Sequence, residues 1–289
     1  MDSHKVPISI LVPTRNEIRN LPKCLSAIKD WADEIVVVDS GSTDGTIEYA
    51  QENGATVLQF SYLGGWPKKR QWALDTYQFR NDWILLLDAD EILLEPVKQE
   101  ISGVVSQSKY NGYWVRFEIF FLGRQLRYGN GSLWKLSLFR RGKGRYEVRL
   151  DNQDMSMADI EIHEHVIVDG HIGRLRNPVR HENINSLDRY IQKHNEYSNW
   201  SARVFLNGKQ TEVGASLWGN QAQRRRWLKL NFLWCPGSPL AFFLLVYFFK
   251  LGFLDGKPGF LYAVFSAIQM FHTKANIYEY SRLHFPARP

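Results

Sequence analysis

Cysteine is nearly missing from this chain, and that scarcity is informative. Its 289 residues include only Cys24 and Cys235, too few for a disulfide framework and without metal-ligand spacing. A reducing compartment and two inert, buried thiols are therefore expected. The opening MDSHKVPISILVPTRNE returns to polar residues before an apolar core of signal-peptide length has formed, so no export signal is expected and the catalytic part is assigned to the cytosol. Internal repeats and low-complexity tracts are also missing, which leaves an ordinary globular chain. Acids are the scarcer charge, 30 against 36 Lys and Arg, for a net charge of +6 and a pI of about 9.2. That balance favours anionic partners such as phosphates, acidic lipid or nucleic acid without choosing among them.

Apolar residues are plentiful, at 44%, enough for the core of one large domain or two small ones. From Val6 to Leu94 short β-rich runs alternate with amphipathic stretches. The spacing predicts strands over Ile8–Val12, Glu34–Val38, Thr56–Gln59 and Trp83–Leu87, and helices near Leu21–Trp31, Thr43–Asn53 and Lys68–Phe79. Repeated βα units imply a parallel sheet covered by helices on both faces, with ligands at the carboxyl ends of its strands. From Tyr110 to about Arg180 short β-like pieces and glycine turns predict a mixed, partly antiparallel extension. Beyond Asn185 the pattern is helical, with Leu187, Tyr190, Ile191, His194 and Tyr197 at helical spacing.

Two oily segments follow QRRRW at Gln223–Trp227, namely Leu240–Leu254 and Gly259–Phe271, joined by DGKP. At about 1.5 Å per residue the first spans roughly 22 Å, short of the roughly 30 Å hydrocarbon core, and Lys250 interrupts it. An interfacial or re-entrant hairpin over 239–275 is expected rather than two full spans. A second subunit is an equally good partner for that hairpin, so an oligomer stays open. QRRRW itself matches an acceptor-channel pattern of processive synthases, and it also reads as a basic collar for anionic headgroups, which is the preferred reading.

Three polar clusters sit at the predicted strand ends. In WILLLDADE the oily strand ends in Asp88, Ala89 and Asp90. If extended geometry persists, the two aspartates point to one side, where like charges repel unless a cation intervenes. Mg²⁺ or Mn²⁺ bridging to a substrate diphosphate resolves that conflict. Glu91 then lies opposite and orients the loop or pairs with a cation. VDSGSTDGT places Asp39 where a carboxylate suits a nucleotide base or ribose, with Thr43 as a helix cap and Asp44 and Gly45 as turn residues. PTRNE brings Pro13, Thr14 and Glu17 to the same edge, although Glu17 also fits a first-turn helix acid. Lys68, Lys69 and Arg70 meet phosphate at a helix start, and one or two of these three neighbours are expected on plain surface.

PTRNE, VVDSGSTDGT, GGWPKKRQWAL and LLLDADE, in that order and spacing, resemble the donor-binding half of family 2 glycosyltransferases, inverting enzymes of the GT-A fold. FLGRQLRYG, LFRRGKGRYE, IHEHVIVDGHIGRLRNPVRHEN and GFLDGKPGF bring the resemblance to the bacterial lipopolysaccharide-core glucosyltransferase subgroup. The resemblance implies an α/β GT-A catalytic domain over 1–184, with a nucleotide-sugar half (1–95) and an acceptor half (96–184), followed by a helical, membrane-associating region over 185–289. It implies a UDP-sugar donor, with glucose the favoured hexose, and a lipid-linked or lipopolysaccharide-type glycan acceptor at the cytoplasmic face of the inner membrane, bound peripherally or monotopically, with no nucleic acid. Pro13, Thr14, Glu17 and Asp39 then hold uridine, Lys69 approaches the pyrophosphate, Asp88 with Ala89 joins the donor site, and Asp88 and Asp90 bind the metal.

Glu164, in HEH, is the implied base. On a strand, His163 and His165 would face away from it. His165 and His181 are both candidates for a third metal ligand, and His181 also reads as a phosphate contact or a core histidine. WPKKRQ stands where related proteins tend to read GPQKN, and DNQDMSMAD is extra acidic material beside the acceptor half. The alternatives are a processive polysaccharide synthase, a nucleotidyltransferase, for which no Gly-rich triphosphate loop is present, and a basic nucleic-acid-binding module, which needs exposed aromatics among its cations.

Overall fold

In the computed structural model, the described residues are 5–150, 159–161, 164–182, 186–208, 213–219, 221–233 and 235–283. The apolar runs of the first ninety residues carry too much aliphatic surface for one-sided burial, and they become adjacent strands covered on both faces. These are β1 (Val6–Thr14), β2 (Ala32–Asp39), β3 (Thr56–Gln59) and β4 (Trp83–Leu86), all mutually parallel. Three helices connect them, α1 (Leu21–Ile28), α2 (Thr46–Glu52) and α3 (Lys69–Thr76).

Helix α2 starts three residues later than its expected cap. Gly45, at φ +89°, takes a left-handed turn that glycine adopts without a Cβ penalty. Asp44 Oδ1 accepts the N–H of Thr46 at 3.1 Å, while the Thr43 N–H donates to Asn16 Oδ1 at 2.8 Å. Thr43 thus ties two loops together, and the helix begins beyond it.

The second half continues with β5 (Glu91–Ile92), α4 (Glu95–Gln107), β6 (Gly112–Phe121), β7 (Arg124–Gln125), β8 (Ser132–Arg140), β9 (Gly144–Tyr146), β10 (Val166–Val168), β11 (Ile172–Arg174) and β12 (Val179–Glu182). The main sheet runs β3-β2-β1-β4-β8-β6-β12-β5, with β7 and β11 also pairing to β6 and β9–β10 forming a separate ribbon. Its extension is mixed: β8 is antiparallel to β4 and β6, and β12 is parallel to β6.

Four helices follow, α5 (Leu187–Asn207), α6 (Gln221–Phe232), α7 (Ser238–Leu244) and α8 (Gly256–Leu283). Ser186 caps α5 by accepting the Arg189 N–H. The ring of Phe121 at the end of β6 meets Tyr190 of α5 and Tyr262 of α8, with centroids 5.2 and 5.5 Å away. The helical region is therefore packed directly onto the sheet.

Helix α7 continues through a π-helical turn, Leu245–Phe249. The chain then breaks at Lys250–Leu251, where Leu251 has φ +59°, and a 3₁₀ turn over Gly252–Asp255 leads into α8. The expected bend at DGKP thus lies earlier. DGKP instead opens α8, where Pro258 falls in the first turn and its missing N–H costs nothing. Gly259 is required there, because a Cβ would lie 2.2 Å from the carbonyl of Gly252. Among the described residues no single helix is long and apolar enough to cross a membrane, and the chain bends by 70° between Ser238–Phe249 and Gly252–Arg282.

Candidate active site

The carboxyl ends of β1 and β2 hold the first group. Thr14 and Asp39 are register partners, one residue beyond Pro13 and Val38. Asp39 is fully buried, and it accepts hydrogen bonds from Thr14 Oγ1 at 2.7 Å and from the Ser42 N–H at 2.7 Å. Glu17 lies before α1 and is not dipole-bound in it. Its Oε1 meets Lys193 Nζ at 2.8 Å, and Oε2 accepts from Asn20 at 2.7 Å. Helix α5, far along the chain, thus closes over this loop.

The cation triplet corrects one expectation, since Lys68, Lys69 and Arg70 are 0%, 2% and 8% exposed and none is plain surface. Each has its own carboxylate on the segment 159–164, because burying an ammonium or guanidinium alone is prohibitive. Lys68 Nζ is 3.5 Å from Glu164 and 3.7 Å above the Trp200 ring. Lys69 Nζ is 3.2 Å from Asp159 and donates to the Thr14 carbonyl at 2.7 Å. Arg70 donates to the Glu161 carbonyl at 2.9 Å and to Asp88. Burial lowers both lysine pKa values by more than their acids raise them. Asp159 belongs to the extra acidic material; residues 151–158 lie outside the described residues.

The extended geometry assumed for the two-aspartate clamp is not observed. Strand β4 ends at Leu86, and the chain turns through Ala89 and Asp90, so the pleat that would align both side chains is lost. Asp88 turns to cations, pairing with Arg70 and with Lys135 Nζ at 2.9 Å. Burial pushes its carboxyl up, but those two charges outweigh burial and hold it far below the carboxylate range. Asp90 instead faces His181, its Oδ2 lying 3.3 Å from Nε2. Burial raises the Asp90 carboxyl, yet His181 and then Lys193 bring it down to about 2.

The pairing of β12 with β5 sets His181 beside Glu91, and the Glu182 N–H donates to the Asp90 carbonyl at 2.8 Å. Glu91 is buried; it accepts the Asp88 N–H at 2.7 Å and pairs with Lys135, so it orients the loop and binds a cation at once. Ala89, at 4% exposure, packs into the core and offers the site only its backbone.

Asp90 and His181 fit a divalent ion. They supply one hard oxygen and one imidazole nitrogen, Nε2, while the other ring nitrogen, Nδ1, lies 3.9 Å from Glu91 Oε1. No cluster of three or more His, Cys, Asp or Glu suited to a metal occurs among those residues. Mg²⁺ and Mn²⁺ sites that are completed by substrate phosphates and water need no such cluster.

Glu164 is drawn away from any such ion, its side chain wholly buried against Lys68. Glu164 and His165 precede β10 rather than lying on a strand, and His163 is outside the described residues. The His165 N–H donates to Glu147 Oε1 at 3.0 Å, which puts His165 in a structural tie. In QRRRW, Arg226 is half-buried in an ion pair with Glu147, so the motif does not form a uniform basic collar.

Lys135, Lys193 and Trp200 escaped sequence reasoning. Lys193 had a usable signal, because it lies three residues after Tyr190 and four before Tyr197 on the apolar face of α5. Lys135 is the one charge inside LWKLSLF, a position where a half-buried strand invites a partner. Trp200 reads as ordinary core from sequence.

The family model for glycosyl transferase family 2 matches residues 9–167, more than half of the chain. The chain belongs to glycosyltransferase family 2. This transferase is 31% identical over 292 residues to the lipopolysaccharide core biosynthesis glycosyltransferase LpsC of Rhizobium meliloti (strain 1021), a match that covers 99% of the chain and 96% of the relative. It is 26% identical over 277 residues to an uncharacterized glycosyltransferase of Rickettsia prowazekii (strain Madrid E), covering 95% and 87%. The crystal structure of S. aureus TarS 1-349 resembles it with a TM-score of 0.46 at 13% identity, covering 95% of this chain and 91% of that one. The mixed sheet with its C-terminal helices is the GT-A fold that the motifs implied.

Proposed function

We propose that this enzyme transfers a hexose, with glucose favoured, from a UDP-sugar to a hydroxyl of a lipid-linked or lipopolysaccharide-type glycan, with inversion and with a divalent cation. The reaction would take place at the cytoplasmic face of the inner membrane. The observation that carries this reading is the link between the Thr14–Asp39–Lys69 cluster and the Asp90–His181 pair through Lys193, which pairs with Glu17 and lowers the Asp90 carboxyl. The name of the Rhizobium relative supports the acceptor class.

Thr14, Glu17 and Asp39 would receive uridine, with Asp39 accepting from the base. Lys69 would exchange the Asp159 carboxylate for a diphosphate oxygen, which replaces one anion by another and avoids stranding a buried ammonium. Asp90 and His181 would hold Mg²⁺ or Mn²⁺, which neutralises charge on the departing diphosphate. Asp88 would fix Arg70 and Lys135 beside them. Inversion by direct displacement needs one base for the attacking hydroxyl. Glu164 is the proposed base, and to serve it must trade Lys68 for the acceptor. Exposed apolar side chains at the hairpin bend, including Phe249 at 79%, support a membrane-surface location, since a monomer seldom exposes such a cluster without a partner.

A panel of nucleotide sugars with Mn²⁺ tests the donor. UDP-hexoses should raise the thermal midpoint and release UDP slowly. If guanosine or cytidine sugars stabilise the protein and uridine sugars do not, the assignment of Thr14, Glu17 and Asp39 to uridine is wrong.

A further inference from the structure

A recess of about 470 Å³ lies outside the donor crevice, lined among others by Arg127, Tyr128, Gly131, Arg224, Leu228 and Lys250. Three elements build it: the 127–131 loop between β7 and β8, helix α6, and the break in the hairpin. The loop is fixed rigidly to the hairpin. Asp255, 3% exposed, accepts the N–H groups of Arg127 and Tyr128, each at 3.0 Å. The Gly129 N–H donates to the Lys250 carbonyl at 2.8 Å, and Lys250 Nζ donates to Asn130 Oδ1 at 2.8 Å. Gly131 leaves no room for a side chain, since a Cβ would lie 2.1 Å from the Leu126 carbonyl.

The recess therefore presents three cations, and no carboxylate is among its described lining residues. Arg127 and Arg224 are exposed. Two arginines and a lysine lining one small concavity suit the several oxygens of a phosphate group.

Two neighbours say where that phosphate comes from. Lys250 is flanked by the exposed apolar residues Phe248 (51%), Phe249 (79%) and Leu251 (44%). A tip of this kind enters the interfacial layer and leaves the adjoining recess at headgroup depth. The recess also opens onto the start of β8. Ser132 lines it, and the same strand carries Lys135, which touches Asp88, on its opposite face.

We propose that this recess binds a phosphate group carried on the head of the membrane-anchored glycan acceptor. The proposal rests on the membrane-acting transferase reading above and adds to it the anionic class of the acceptor and the side chains that hold it.

The test is co-sedimentation of the full chain with phosphatidylcholine vesicles, with or without a minority of phosphatidic acid, whose phosphomonoester serves as the probe. Wild type should prefer the phosphatidic acid vesicles. Arg127→Gln/Arg224→Gln should lose that preference by more than the roughly fivefold per charge that a diffuse anionic surface supplies. Lys257→Gln, which removes an exposed hairpin cation outside the recess, should lose no more than that. Phe249→Ser should weaken binding to both vesicle types. Equal losses for the arginine pair and Lys257 per charge would overturn the recess, and binding of inorganic phosphate by a wild type that shows no preference for phosphatidic acid vesicles would overturn its lipid-borne source. Because no nucleotide is present, a failure of UDP to bind this protein would refute the donor assignment and leave this result standing.

Discussion

Asp90→Ala is expected to lower kcat/KM for sugar transfer by at least about a thousandfold, since several kcal/mol of leaving-group stabilisation pass through the ion that this carboxylate would hold. Asp90 is the acid of the LDADE turn that pairs with His181, whose Nε2 lies 3.3 Å from its Oδ2, whereas Asp88 pairs with Arg70 and Lys135. His181→Ala should reproduce most of the loss. Asp88→Ala should fail differently, because it strands Arg70 and Lys135, and the protein should lose stability together with activity. Steady-state UDP release with each variant, beside a urea midpoint, separates the two behaviours. Asp90→Ala retaining activity within about tenfold of wild type would remove the metal from the account.

Glu164→Gln is expected to cost roughly 10²- to 10⁴-fold in transfer, the range for loss of a general base, with UDP affinity retained. Its geometry complicates the test, because Glu164 and Lys68 are both wholly buried and 3.5 Å apart. Removing one partner of such a pair costs about 3–5 kcal/mol through the charge left behind. The double variant Lys68→Met/Glu164→Gln resolves this, since replacing both charged groups by similar volumes is often neutral to stability. If Glu164 is the base, the double variant regains its thermal midpoint and stays inactive. If the pair is only structural, transfer returns with stability, and the base lies elsewhere.

Much of the first half was legible because its signals are local. Thr56–Gln59 is observed with its expected bounds, and the four strand cores and three helices fall where alternation and periodicity place them. The loop chemistry at their ends was legible as a set of polar clusters on one edge. What was hidden depended on contacts distant in sequence. One or two of the three consecutive cations were expected on the surface, but Asp159, Glu161 and Glu164 supply a buried partner for each. The loss of the expected DxD alignment is a backbone event, a turn begun one or two residues after β4, and no side-chain pattern announces it. His181 reached Asp90 through the pairing of β12 with β5, two short strands nearly ninety residues apart, and such non-local pairings leave little trace in either segment. The hairpin break at Lys250–Leu251 was misread for a related reason: DGKP has the composition of a turn, and here it starts a helix.

The central claim is a uridine diphosphate site completed by a divalent ion at Asp90 and His181, and calorimetric titration of UDP into the full chain with and without Mn²⁺ tests it most directly. The expected result is tight binding with Mn²⁺, markedly weaker binding without it, loss of the Mn²⁺ enhancement alone in Asp90→Ala, and loss of binding under both conditions in Asp39→Ala. UDP binding with the same affinity with and without Mn²⁺, in wild type and in Asp90→Ala alike, would contradict it.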